Sequence, residues 1–246
     1  MDRRKISIFY KDAAIVYNLK KERFLCVADL HIGYSPTPSF PYHSKRLTMD
    51  LAKRIIQIST NSKSNNLILL GDIKHTIARI TRSDDLEIRS FFEEIKPFFK
   101  KIYLVLGNHD GSIKTILPSY VIIIRKGLLL GDAYFMHGHT LPEKEVKRAN
   151  IIIMGHLHPI FFRPRSPLNG QRVWLIISLY LNNLFPVRKF YNIIIMPPFN
   201  SEIIFPLNFS YSSEFSSRIA PLLNRCKFDI FSVKIISLDG VLLEHV

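Results

Sequence analysis

The chain has 246 residues, of which 47% are hydrophobic and 22% charged, a globular balance that excludes a disordered chain. Lysine and arginine number 34 against 20 aspartates and glutamates, and the resulting formal charge of +14 favours encounter with polyanions. Only two cysteines occur, Cys26 and Cys226, which excludes a disulfide framework and a structural thiolate zinc site.

In chain order, short apolar runs with strand length and β-branched content come first as "ISIFY", "AAIVYNL" and "RFLCVAD". A segment with helical spacing follows at 42–60, then the run "NLILLGD", a second helical segment at 84–100, and the runs "KIYLVLGN" and "YVIIIRK". This alternation is the signature of a layered α/β protein. "AYFMHGH" and "NIIIMGH" come next, after which the helical signal thins and "VWLIISLY" and "YNIIIMPP" follow, so the second half is expected to form a second sheet packed on the first. The stretch "PPFNSEIIFPLNFSYSS" reads as a loop with one short strand, the Ser-rich segment at 209–217 continues it, and a short helix is expected at 218–225. No repeat or linker divides the chain, which gives one domain over 1–246. The basic residues are dispersed rather than gathered into a targeting signal, and the most apolar window, "VWLIISLYLNNLFPV", is broken by Asn182 and Asn183. An intracellular, cytoplasmic protein without a membrane-spanning segment is therefore expected.

Five of the runs end in residues able to bind a metal: Asp29 and His31; Asp72; Asn108, His109 and Asp110; His137 and His139; and His156 and His158. One such residue after a strand is ordinarily a loop residue or a cap, so the argument lies in their number. Carboxyl ends of strands in an open α/β sheet share an edge, and five of them aim these groups at one place. Carboxylate, imidazole and amide together suit manganese, iron or zinc, and seven donors are too many for one open catalytic ion and about enough for two sharing a carboxylate. Gly71, Gly107, Gly138 and Gly155 neighbour these residues, where a missing Cβ permits close approach to an ion or phosphate. In "GHLH", strand periodicity would point His156 and His158 to one side and Leu157 into the core.

The blocks "DLH" (29–31), "GD" (71–72), "GNHD" (107–110), "HGH" (137–139) and "GHLH" (155–158), in this order, resemble the calcineurin-like metallophosphoesterases. More narrowly, "ADLHIGY", "GDIKH", "GNHDG", "MGHLHP" and "PPFN" are similar to archaeal phosphoesterases related to SbcD and to bacterial PdeM-like proteins. The resemblance implies a four-layer α/β/β/α sandwich of two mixed sheets flanked by helices. It implies that Asp29, His31 and His158 hold one divalent ion, that Asn108, His137 and His156 hold a second, and that Asp72 bridges them. Manganese is the first choice, with iron, zinc, nickel or cobalt as alternatives. His109 is implied as the group that helps the leaving oxygen, and Asp110 as the carboxylate that orients it. Lys74, His75 and His139 are candidate substrate contacts. The implied reaction is phosphodiester hydrolysis by in-line attack of a hydroxide shared by the two ions. The substrate expected is DNA or RNA, with a role in DNA repair and with a second copy, a helicase or a ligase as partner. The alternatives are hydrolysis of nucleotides or other small phosphoesters, and a non-catalytic scaffold with this fold.

Overall fold

The computed structural model describes residues 5–35, 41–77, 79–181, 188–203, 221–222 and 228–246. Six strands make the first sheet in the order β1 (Ile6–Phe9), β2 (Ala14–Leu19), β3 (Glu22–Ala28), β4 (Asn66–Leu70), β5 (Lys101–Val105) and β6 (Val121–Ile124). From β3 to β6 they run parallel, whereas β1, β2 and β3 are joined as antiparallel hairpins. Period two decides which side chain faces where: in β3, Leu25 and Val27 point to the helices while Phe24, Cys26 and Ala28 point to the other sheet. Strand β4 is apolar on both faces for this reason, and all five of its residues are buried.

Helices α1 (Pro41–Ser62) and α2 (Arg82–Ile95) cover the outer face with Leu51, Ile55, Ile88, Phe91 and Phe92. Each such side chain, fully buried, contributes about 1.5–3 kcal/mol. Helix α2 starts two residues before the expected 84. Thr81 caps it, its hydroxyl accepting from Asp84 N at 3.0 Å while Asp84 Oδ2 accepts from Thr81 N at 2.8 Å. It ends at Ile95 rather than 100, because Pro97 cannot supply the next backbone donor and the chain tightens into a 3-10 turn at Lys96–Phe98.

The second sheet holds β7 (Gly127–Leu130), β8 (Ala133–Met136), β9 (Ile151–Met154), β10 (Val173–Leu181), β11 (Lys189–Ile195), β12 (Phe228–Ser237) and β13 (Leu242–His245), in the order β13-β12-β10-β11-β9-β8-β7. It is mixed too, β8, β9 and β11 being parallel and the rest antiparallel. The two sheets pack face to face through Tyr17, Phe24, Leu70, Phe135, Trp174 and Met196. Behind the second sheet, Val146 and Ala149, at a 3-10 segment (Lys144–Arg148), and Leu222 cover Leu175, Ile177 and Leu179. The architecture is the expected one of two mixed sheets with flanking helical layers. Strands β7, β12 and β13 were not among the ten runs read from the sequence: β7 and β13 are four residues long, and β12 interleaves its apolar side chains with Asp229, Ser232 and Lys234. The expected strand near 203–207, the Ser-rich segment at 209–217 and most of the helix at 218–225 lie outside the described residues, although Pro221 and Leu222 are helical. Among the described residues no helix is long and apolar enough to cross a membrane.

Candidate metal centre

The five blocks meet, but not on one sheet edge. Strands β3, β4 and β5 of the first sheet deliver Asp29, His31, Asp72, Asn108 and His109. Strands β8 and β9 of the second deliver His137, His139, His156 and His158. The site therefore lies across the facing ends of two packed sheets.

Left-handed backbone sets the aim of the side chains. Among the described residues ten non-glycine residues have positive φ, and five of them are Asp29 (56°), His31 (46°), Asp72 (49°), His156 (71°) and His158 (42°). Such conformations cost energy and persist where surrounding bonds over-determine them. Here they are overdetermined: Asp29 N donates to Gly71 O (3.3 Å), His31 N to Asp72 O (2.8 Å) and Ile32 N to Ile73 O (2.6 Å). Strand β9 has ended before His156, so His156 and His158 reach the same side through these turns rather than through strand periodicity, with Leu157 buried between them. Two glycines are required by close approach: a Cβ on Gly107 would overlap the Asp72 carboxylate, and one on Gly155 would lie 2.6 Å from Asp29 Oδ2.

Among the described residues three groups of donors have their ligand atoms within 4.8 Å of one another: Asp29 with His31 and His158, Asp72 with His137 and His156, and His31 with His75 and His109, of which the first two include a carboxylate. In the first, His158 Nε2 is 3.4 Å from Asp29 Oδ1. In the second, His137 Nε2 is 3.3 Å from Asp72 Oδ2 and 3.2 Å from Asn108 Oδ1. The orientation of His137 follows, because its Nδ1 donates to Leu70 O at 2.8 Å and turns Nε2 towards the cluster. Asp72 Oδ2 also lies 3.9 Å from His31 Nε2, so this carboxylate stands between the two groups.

Burial opposes ionisation of Asp29, yet His158 and His137 hold it below the usual carboxylate range. Asp72 is likewise buried and likewise depressed, chiefly by His137. Burial pushes His31 down to about 3 and His156 to about 4. The same burial would lower His137, but Asp72 and then Asp29 outweigh it and raise it to about 9. Two buried carboxylates thus collect the positive charge within reach.

The other expected residues divide. His109 Nε2 is 3.9 Å from Asp72 Oδ2, and its Nδ1 donates to the backbone carbonyl of His75 at 2.5 Å. Asp110 was expected to orient that imidazole; instead its oxygens accept from Gly107 N (2.8 Å) and Ile73 N (2.9 Å), so it ties the β5 loop to the β4 loop. Lys74, expected at the substrate, is fully buried and its ammonium donates to Thr76 O, which turns it into the loop. His75 stacks edge-on against Tyr34 at 5.0 Å and sits beside His31 and His109. His139 lies 5.2 Å from the His137 ring, lowered by burial to about 4. The two carbonyls that orient histidines, Leu70 O and His75 O, are backbone groups and carry no side-chain signal.

The donor set fits divalent cations. Both ring nitrogens of His31 are buried without a hydrogen-bond partner among the described residues, a costly arrangement that a bond from one of them to a metal ion would partly relieve. Carboxylate, imidazole and amide donors at the mouth of a two-sheet α/β sandwich define a metal-dependent hydrolase. The chain belongs to the calcineurin-like phosphoesterases, whose family model matches residues 22–184. This family uses divalent metals. Among solved structures, the nuclease MPE of Pseudomonas putida is similar at 18% identity over 77% of this chain and 80% of that one, with a TM-score of 0.53. YfcE, a phosphoesterase from E. coli, is 14% identical over 91% of this chain and 97% of that one, with a TM-score of 0.40. No curated protein matches the chain in sequence.

Proposed function

We propose that the chain is a binuclear phosphodiesterase, folded as one domain, that acts on nucleic acid. The observation that carries the reading is the position of Asp72 Oδ2, 3.3 Å from His137 Nε2 and 3.9 Å from His31 Nε2, one oxygen within reach of both donor groups. Asp29, His31 and His158 would hold one ion, Asn108, His137 and His156 the other, and Asp72 both; manganese suits this hard and borderline set. Two such ions supply Lewis acidity for the phosphoryl oxygens and an acidified water.

The protein supplies positioning. Asp110 fixes the loop that carries Asn108 and His109 by accepting two backbone hydrogen bonds. The His75 carbonyl anchors His109 Nδ1, which presents Nε2 at the mouth of the site, where it can give a proton to the leaving oxygen. The charge of +14 favours a polyanionic substrate.

Elemental analysis of manganese-loaded protein, followed by hydrolysis of bis-p-nitrophenyl phosphate and of single- and double-stranded oligonucleotides, tests both halves of the reading. About two ions per chain and cleavage of ester and oligonucleotide are expected. Occupancy stopping at one ion would sink the binuclear reading, and an ester turned over beside intact oligonucleotides would move the substrate to small phosphoesters.

A further inference from the structure

Two arginines beside the metal centre have no acidic partner within ion-pair distance among the described residues. Arg54, on α1, donates from Nη1 to Phe199 O at 3.1 Å, with its guanidinium carbon 4.3 Å from the centre of the Phe199 ring. Arg172, one residue before β10, donates from Nη1 to the preceding carbonyl, Pro198 O, at 2.6 Å. Both side chains are half-buried. Neither Arg54 nor Arg172 forms an ion pair among the described residues, whereas Arg46, Arg89 and Arg188 pair with Asp50, Asp85 and Asp229; what sets Arg54 and Arg172 apart from the other unpaired arginines is that they are half-buried and converge on adjacent carbonyls. Asp12 and Glu202 act on them only from further away.

Like charges brought together in a partly dry corner are unfavourable without a counter-ion. The cost is visible at Arg172, which burial, and then the charge of Arg54, lower to about 10. One of the five N–H groups of each guanidinium is committed among the described residues, and the planar fork of the others matches two oxygens of a phosphate.

The corner adjoins the first donor group. Phe199 N donates to Ala28 O (2.8 Å), just before Asp29, and Asn200 Nδ2 donates to Leu30 O (2.9 Å), between Asp29 and His31. Val173, next to Arg172, donates from N to Pro159 O (2.9 Å), just after His158. We propose that Arg54 and Arg172 form an anion subsite on this flank of the metal centre, which takes a phosphate group of the substrate other than the one being cleaved. The inference rests on the phosphodiesterase reading above and adds to it a second phosphate recognised by the chain. A nucleic-acid strand and a nucleoside polyphosphate both carry such a group.

The test uses the full chain in chelator, so that nothing is cleaved, titrated by calorimetry with inorganic tripolyphosphate. Wild-type protein is expected to bind it, and the double variant Arg54→Gln with Arg172→Gln to bind at least tenfold more weakly, while Arg172→Lys, which keeps the charge, falls between. With manganese restored, the ratio of kcat/KM for an oligonucleotide to that for bis-p-nitrophenyl phosphate should fall at least tenfold in the double variant. Unchanged tripolyphosphate affinity together with a lower melting temperature would overturn the subsite and leave the arginines as braces of the 197–200 loop. Affinity lost in the variant, with no phosphoester hydrolysed by the wild type, would keep the subsite and remove the catalytic reading instead. Competition of tripolyphosphate by an oligonucleotide points to a strand as the source, and competition by a nucleoside triphosphate alone points to a nucleotide.

Discussion

Asp29–Leu30–His31 after β3 and His156–Leu157–His158 after β9 have the same shape. In each, two left-handed residues proposed as ligands flank a buried leucine, although one loop belongs to the first sheet and the other to the second. Their supports differ. The first is held chiefly by main chain, with three bonds into the 71–73 loop, and its leucine carbonyl also accepts from Asn200 Nδ2 at 2.9 Å. The second takes Gly155 N to His137 O at 3.1 Å and then leans on a side chain, His156 N donating to both oxygens of Asp29 at 3.0 and 3.2 Å. Strain in one loop is thus borne by neighbouring backbone, and in the other by a carboxylate that is itself a proposed ligand. Loading of the first group and the shape of the second loop are coupled through Asp29.

That coupling makes Asp29→Ala the most severe change expected. It removes a donor from the first group and the acceptor of His156 N from the second loop, so manganese content should drop at both positions rather than at one. Turnover should fall by several kcal/mol of lost charge stabilisation, roughly 10³-fold. Retention of one full ion per chain would show that the loops are independent. His109→Ala belongs to neither loop and separates chemistry from ion binding. It should leave both ions in place and lower turnover by on the order of 10²-fold, the usual scale of proton-transfer help. Normal turnover would take His109 out of the mechanism.

Gly155→Ala probes the leaning loop by packing alone. The added Cβ would stand 2.6 Å from Asp29 Oδ2 and 2.7 Å from the Ala28 Cβ, inside a buried junction of the two sheets. Overpacking of this kind costs about 1–3 kcal/mol, read from the midpoint of chemical denaturation. If the loops are coupled as argued, manganese affinity falls with it; a stability loss without an affinity loss would confine the strain to the junction.

How much of this could be read from the chain follows from where each signal resides. The convergence of the proposed ligands was legible because each is a polar residue of the right type directly after an apolar run, as in "NLILLGD" and "NIIIMGH". Their division between two sheets was not, since β8 and β9 read locally like β4 and β5 and only pairing distinguishes them. The left-handed turns were hidden because Asp29 and His158 carry no glycine-like mark of positive φ. Asp110 and Lys74 share a reason: proximity in sequence to His109 and Asp72 suggested an imidazole-orienting and a substrate-facing role, whereas both are buried and bond to backbone. The arginine pair was invisible because 118 positions separate Arg54 from Arg172 (172 − 54).

The smallest effect comes from a polar tie between the sheets. Lys5 Nζ, beside β1, is 2.7 Å from Asp132 Oδ2, in the turn between β7 and β8, and Tyr17 of β2 donates to Asp132 Oδ1 at 3.0 Å. Lys5 holds the Asp132 carboxyl below its ordinary value, with Tyr17 assisting against partial burial. A carboxylate that is more acidic folded than unfolded stabilises the protein fully above its unfolded value, near 4, and the contribution disappears as pH falls through the folded one. Lys5→Ala should therefore cost stability at neutral pH and nothing well below pH 3, which denaturation midpoints at the two extremes would reveal. Because Lys5 is 64% exposed, the difference should not exceed about 0.5 kcal/mol. Tyr17 remains to hold the turn, so both metal-binding loops should keep their ion affinity; a loss there would mean that the spacing of the sheets, and not only the Asp29 contact, sets the coupling between them.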